Sequence, residues 1–321
     1  MRVVVIGLGS MGKRRIRLLR QLDKNIEIIG VDNNQERVCE TAENYGVQCQ
    51  LRLSEIKGII DCAFVCTSPQ FHGEIIRECL ERNCHVFSEI NLIADQYEEN
   101  VKLAEEKEKV LFLSSTPLYK AEMQYIDKQV KTYDKNCVYT YHVGQYLPDW
   151  HPWDNLNDLF IGQKKTNGCR EILAIELPWI QDTFGEIVNV KTTKRKVTSL
   201  NIDFPDVYMI QIEHKNGNIG NMLIDVVSRQ AVRHLEVIGE DVYIKWDGTP
   251  DSLYQKNVQT GELQNVQMGE YVHENGYGEF INEYAYLKEM QEFFDVIKGK
   301  KVKYGFRQDA VVLSWIDKIE E

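Results

Sequence analysis

The 321-residue chain carries 49 Asp and Glu against 38 Lys and Arg, a formal net charge of −11. That field repels phosphate backbones and anionic bilayers, which excludes nucleic acid and membrane surfaces as expected partners. A hydrophobic fraction of 43% beside a charged fraction of 27% is globular, and the length exceeds one ordinary core, so two domains are predicted.

The chain opens on Arg2-Val3-Val4-Val5-Ile6, a β-branched run suited to a strand buried on both faces, followed at once by Gly7-Leu8-Gly9-Ser10-Met11-Gly12. This is G-x-G-x-x-G between a strand and a helix. Gly7 permits the turn, Gly9 lets backbone approach a pyrophosphate, and Gly12 lets the helix pack close, with Ile16, Leu18, Leu19 and Leu22 on its apolar face. The N–H groups of Ser10 and Met11 point toward the phosphates. A second strand, 26–31, ends in Asp32, twenty residues after Gly12, where a carboxylate accepts the ribose hydroxyls. Asp32 repels a 2′-phosphate and Asn33-Asn34 supplies no cation, so NAD is expected before NADP, with Lys13-Arg14-Arg15 as the one nearby basic cluster.

No basic segment, apolar stretch or cleavage site precedes the first strand, and no run of eighteen apolar residues occurs, so a cytoplasmic location is expected. The eight cysteines show neither C-x-x-C nor paired-histidine spacing, and no metal site is predicted. Cys62 and Cys66 read as core residues of a buried strand, 61–66.

A helix is predicted over about 34–44 and a short third strand from Val47. The fourth strand delivers Thr67-Ser68-Pro69 and then His72, at the end of an open α/β sheet that binds ligands. Thr67, Ser68 and Pro69 are expected to touch the nicotinamide half, and His72 either joins them or caps and packs. A fifth strand, 85–88, exits through Glu89-Ile90-Asn91, with Glu89 and Asn91 placed in the cofactor set. A helix to about Glu106 and a sixth strand, 110–114, complete the half.

These motifs, with the terminal helices containing Phe293-Phe294 and Asp309-Ala310-Val311-Val312, resemble the glucose-fructose oxidoreductase, inositol dehydrogenase and rhizopine-catabolism (Gfo/Idh/MocA) family. The resemblance implies a Rossmann doubly wound parallel sheet over 1–118. It also implies an α+β substrate and oligomerisation domain over 119–321 with a large, open-faced, mostly antiparallel sheet, and terminal helices packing near the domain interface. Alternating patterns at 206–213, 219–227, 235–239 and 242–246 supply strands, and Lys215-Asn216-Gly217-Asn218 supplies a hairpin turn. The open face implies a homodimer or homotetramer.

The chain departs from the family at its chemistry. Where the family has Glu-Lys-Pro, this sequence reads Glu89-Ile90-Asn91, without the lysine. Aligned on Gly168, the family's aspartate and histidine fall on Ile172 and Glu176; a one-residue slip gives Leu173 and Leu177. The arginine and aromatic that often follow the sixth strand are replaced by Leu118-Tyr119.

Hydride transfer from an alcohol needs a proton acceptor. Glu176, in an apolar helical stretch, and His151 are the candidates; either Glu176 faces a cleft, or Glu171 and Glu176 are one paired with Arg170 and one solvated. Lys120 is a lesser candidate, expected to face solvent, and His142 reads as a satisfied strand residue. Gln145, Tyr146, Asp149, Trp150 and Trp153 form the densest aromatic and polar run and suit a sugar-like polyol, with Tyr119 as a further substrate contact; a packing plug between domains is the other reading. The expected activity is NAD(P)-dependent oxidation or reduction at a secondary carbon of a sugar or nucleotide-linked sugar. A ligand-sensing regulatory protein, and NAD-assisted elimination or hydrolysis without net redox, are the alternatives.

Overall fold

A computed structural model describes residues 1–150, 155–268, 280 and 282–321, with the side chain of Asn157 left aside. The chain divides into two compact units, Met1–Ser115 with Tyr286–Val311, and Thr116–Ala285 with Val312–Glu321. Against the single boundary drawn at 118, residues 286–311 return to the first unit.

The first unit alternates β1 (Arg2–Ile6), α1 (Ser10–Leu22), β2 (Glu27–Val31), α2 (Gln35–Tyr45), β3 (Gln48–Gln50), β4 (Cys62–Val65), α3 (His72–Glu81), β5 (His85–Ser88), α4 (Tyr97–Glu106) and β6 (Leu111–Leu113). All six strands are parallel in the order β3-β2-β1-β4-β5-β6. The order reverses direction between β1 and β4, which opens a crevice at the carboxyl ends of those strands. Register sets what emerges there: Ile6 lies opposite both Val31 and Val65, and Val65 opposite Ser88. Gly7, Asp32, Cys66 and Glu89 therefore leave the sheet along one edge.

The second unit contains α5 (Ala121–Thr132), β7 (Val138–Gly144), α6 (Gly168–Phe184), β8 (Ile187–Arg195), β9 (Val207–His214), β10 (Ile219–Asp225), β11 (Val232–Ile238), β12 (Tyr243–Trp246), β13 (Tyr254–Lys256) and β14 (Leu263–Asn265). These strands form one sheet in the order β14-β13-β12-β11-β7-β10-β9-β8, antiparallel except for the parallel pair β7 and β10. The fold is thus a Rossmann sheet followed by an α+β domain with a mostly antiparallel sheet. The helices α7 (Glu283–Ile297) and α8 (Phe306–Glu320) each contribute to both units. Among the described residues no helix is long and apolar enough to cross a membrane.

Alternation along the strands decides the cores. In the second unit Tyr139, Tyr141, Tyr208, Ile210, Ile212, Met222, Ile224, Leu235, Val237, Ile244 and Trp246 are buried on one face. Gly220 is required opposite Tyr139, whose ring would lie 1.9 Å from a Cβ there; that ring stacks on Phe184 at 4.0 Å. In the first unit Phe64, Phe87 and Phe112 stack in register across β4, β5 and β6, at 4.8 and 5.2 Å between ring centroids. Phe293 of α7 meets all three at 5.5–5.7 Å, at 64–82°. Edge contacts of this kind add to the area buried, which explains why 286–311 pack with the parallel sheet.

Candidate functional site

The glycine turn fits a dinucleotide. Gly7 sits at φ +91°, donates to the Val31 carbonyl at 2.8 Å, and a Cβ on it would lie 2.6 Å from the Cys66 oxygen. A Cβ on Gly12 would lie 1.8 Å from the Gly7 oxygen, so α1 can pack this closely only without one. Gly9 differs: a Cβ there meets nothing within 4 Å, leaving backbone open to a ligand. Gly9 is also the N-cap of α1 and no side chain caps it, so the first-turn N–H groups of Ser10 and Met11 face outward as an anion cradle. Asp32 is buried and accepts from the Leu8 N–H at 2.7 Å and the Asn34 N–H at 2.9 Å, which locks the acid against the turn. Asn33 lies exposed beside it.

The basic cluster after the turn is not presented to phosphate. Lys13 pairs with Glu40 at 2.6 Å, and Arg14 and Arg15 are 2% and 0% exposed. Arg15 is gripped by Glu89 at 2.6 Å and Glu289 at 2.9 Å, and its guanidinium lies 4.5 Å over the Phe87 ring. Burial works against the charge, but the two carboxylates prevail and hold Arg15 protonated. The cation at hand is one the sequence reading passed over: Arg37, half-exposed, stands 3.7 Å from Asp32.

Of the residues expected around the nicotinamide half, Thr67 and Ser68 are partly exposed, Pro69 is buried, and three others face inward. Glu89 is committed to Arg15. His72 is 1% exposed, its Nε2 2.8 Å from the Thr67 carbonyl and its Nδ1 2.7 Å from the Asn91 carboxamide. Burial, outweighing those hydrogen bonds, lowers the His72 pKa, so the ring is neutral. Glu89, His72 and Asn91, placed by the sequence reading among cofactor contacts, thus hold protein to protein, and His72 fixes the Thr67 backbone.

The second unit gathers a different cluster. Glu176 is 0% exposed and accepts from Tyr141 Oη at 2.8 Å, from Trp179 Nε1 at 2.7 Å and from the Arg233 guanidinium. With both oxygens committed it does not stand open in a cleft as a proton acceptor; it neutralises Arg233 and orients Tyr141. Neither glutamate pairs with Arg170, which is bound by Asp317 at 2.6 Å and Glu320 at 2.5 Å. Burial pushes the partly exposed Glu171 up to about 7.

Lys120 corrects the sequence reading most. Far from facing solvent, it is 6% exposed and donates to the Phe280 carbonyl at 2.9 Å. Burial first, then the nearby Arg233, lowers it to about 7, against the opposing carboxylates of Glu176 and Glu122. Glu122 is itself buried, which raises its pKa. Arg233 was legible in principle: in Val232–Ile238 it shares the inward phase of Leu235 and Val237, where a charge needs a buried partner.

The aromatic run turns on itself. Trp150 Nε1 donates to the Gln145 carbonyl at 3.2 Å, the Tyr146 N–H donates to Ser228 at 2.7 Å, and Arg229 lies 3.6 Å over the Tyr146 ring. Asp149 is exposed. The turn seats on Gly168, where a Cβ would come within 2.8 Å of Leu147 and 3.6 Å of Trp150. Glu176 lies about 12 Å further along α6, at the rise of a helix, so the run and the charged cluster occupy different ends of it. Tyr119 is partly buried. His151 and Trp153 lie outside the described residues. His142 is partnered, its Nε2 2.6 Å from Asp225 on the face opposite Tyr141.

Comparison with known proteins agrees with the cofactor geometry. Residues 1–115 match the GFO_IDH_MocA family, described as an oxidoreductase family with an NAD-binding Rossmann fold. The chain is 27% identical over 137 residues to 4-carboxy-2-hydroxymuconate-6-semialdehyde dehydrogenase of Sphingobium sp. (strain NBRC 103272 / SYK-6), covering 40% of this chain and 43% of that one. It is 32% identical over 93 residues to myo-inositol 2-dehydrogenase of Thermotoga maritima, covering 28% of each. The matches thus span less than half the length of these curated relatives. The structure of GenD2 from gentamicin A biosynthesis in complex with NAD superposes with a TM-score of 0.80 at 16% identity, over 99% of this chain and 92% of that one, a likeness of fold. Over residues 1–115 the chain thus matches the NAD-binding Rossmann domain of the Gfo/Idh/MocA oxidoreductases.

Proposed function

We propose that the protein is a dehydrogenase that uses NAD in preference to NADP and oxidises or reduces a secondary carbon of a sugar or sugar-like polyol. The observation that carries this reading is the glycine turn locked onto Asp32, with open backbone at Gly9 and an uncapped α1. When bound there, nicotinamide supplies a hydride acceptor or donor. The chain itself must bind the alcohol, exclude water and hold a proton. The polyol class is supported by the Tyr146 and Trp150 turn, whose aromatic faces suit ring C–H surfaces, and by the inositol-dehydrogenase relative. A homodimer or homotetramer through the half-exposed face of the second sheet completes the reading.

The test is a titration of NAD and NADP by fluorescence, followed by NADH formation with inositols, aldoses and nucleotide-linked sugars. NAD binding with turnover on one class supports the reading. NAD binding with no turnover on any sinks it in favour of the sensor.

A further inference from the structure

The parallel sheet of the first unit has a second end. Register gathers the amino-terminal ends of its strands there, with Val3 of β1 opposite Cys62 of β4 and Cys62 opposite His85 of β5. Between the segments that enter β4 and β5, 58–61 and 82–83, lies a cavity of about 740 Å³, with Met1, Lys109 and Ile297 along its sides. All of its lining belongs to the first unit, and the volume is that of an ordinary small-molecule site. Dinucleotides bind such sheets at the carboxyl ends of the strands. β1 is five residues long, so the cavity lies about 15 Å from the glycine turn.

Its lining joins apolar surface to free donors. Ile60 and Cys62 are buried, Ile297 is half-buried and Ile59 is left 83% exposed, a loss of apolar burial that a ligand would recover. His85 Nδ1 accepts the Val110 N–H at 3.0 Å; a backbone N–H can only donate, so the neutral ring carries its hydrogen on Nε2. Burial and then Lys109 lower the His85 pKa, against the opposing charge of Asp61, so the ring is neutral and Nε2–H is a donor. Neither that N–H nor the half-buried Lys109 ammonium has a partner among the described residues. Arg82 reaches Glu78 at 3.4 Å. Asp61, the acid in the lining, accepts from the Arg2 backbone N–H at 2.7 Å. Beyond Ile297 the chain continues through Lys298, Lys300 and Lys301, so this end of the sheet is basic in a chain of net charge −11.

We infer that this cavity is a second binding site, for a small organic monocarboxylate with an apolar body. The carboxylate takes the Lys109 ammonium and the His85 Nε2–H, and the body covers Ile59 and Ile297. One ammonium and one neutral N–H match a single negative charge, and Asp61 in the same lining opposes a second, which disfavours a phosphate dianion. The site stands apart from the dehydrogenase reading and holds whether or not a sugar is turned over.

The experiment titrates the full chain, with NAD in excess to occupy the glycine turn, by calorimetry with octanoate, phenylacetate, 2-phenylethanol and inorganic phosphate. Saturable binding of at least one of the two acids is expected, about tenfold or more tighter than that of the alcohol or of phosphate. Lys109→Glu and Ile59→Asp should each weaken it by about tenfold, the second at a position too exposed to disturb folding. In 15N-histidine spectra the ring resonances that shift on binding should be those missing from His85→Phe. No saturable binding of either acid, equal affinity for the alcohol or for phosphate, displacement by NAD, or an affinity unchanged in both Lys109→Glu and Ile59→Asp overturns the site.

Discussion

Each unit sets an arginine against a wholly buried glutamate, and the two clusters have opposite consequences. In the first, Arg15 is held by Glu89 and Glu289, and Ser114 and Ser115 donate to Glu289 at 3.0 and 2.6 Å. Its planar fork, matched to two carboxylates and lying over Phe87, makes an anchor in which the arginine never loses its charge. In the second, Arg233 takes the buried carboxylate of Glu176, and Lys120 is left with a carbonyl. Complete pairing gives rigidity, and incomplete pairing leaves a group that titrates at a useful pH.

The sharpest way to break this comparison is to remove one cation from each cluster. Arg15→Met strands Glu89 and Glu289 against each other and is expected to cost about 3–5 kcal/mol in denaturant unfolding. Lys120→Met is expected to hold or raise stability at pH 7. A lysine with a depressed folded pKa contributes stability above its unfolded value near 10.5 that is lost as pH falls toward about 7, so at pH 7 that loss has already been incurred. Equal destabilisation by both variants would show that both clusters are structural.

A second buried acid in the first unit sharpens the contrast between an acid satisfied by cations and one satisfied by hydroxyls. Asp309 accepts from Tyr97 and Tyr304, each at 2.6 Å, and burial outweighs these bonds and raises it to about 6. A raised carboxyl contributes stability that is full below its unfolded value near 3.8 and lost as pH rises through 6, on the order of 3 kcal/mol. Asp309→Asn should flatten the fall in melting temperature between about pH 4 and pH 6; an unchanged slope would reject the assignment.

Within the second cluster the signs differ by residue. Glu176 raises Lys120 and Arg233 lowers it, so in 13C-lysine spectra Glu176→Gln should move the Lys120 titration to lower pH and Arg233→Met should move it higher. Titrations that move together would mean that the two residues do not act on the amine by their charge. The smallest effect is expected at Arg37: a half-exposed cation 3.7 Å from Asp32 contributes about 0–1 kcal/mol, so Arg37→Ala should change NAD affinity by less than about fivefold. A larger loss, read by fluorescence titration, would make Arg37 part of the cofactor site.

Local pattern carried much of the first unit. The β-branched run at Arg2–Ile6, the three glycines and Asp32 lie close in sequence and their roles depend on backbone alone, so spacing was enough to read them. His72 and Glu89 show where such reading stops. Both sit where a ligand is expected, yet His72 is closed off by Asn91, nineteen residues away, and Glu89 by Arg15, seventy-four residues away. No window of sequence contains those partners. The solvent-facing expectation for Lys120 failed for the same reason, since Phe280, Arg233 and Glu176 arrive from three distant segments.

By itself the sequence determined the alternation of strands and helices, the strand-turn-helix that receives a dinucleotide, the acid that follows it, and the loss of Glu-Lys-Pro. All depend on periodicity and on glycine's missing Cβ, which are properties of neighbouring residues. Only the tertiary structure decided which charges are spent on each other. It turned Arg15 inward, returned 286–311 to the parallel sheet, gave Glu176 to Arg233 and left Lys120 dry. Desolvation and charge pairing are set by whatever the fold brings within a few ångströms, and that distance is not written along the chain.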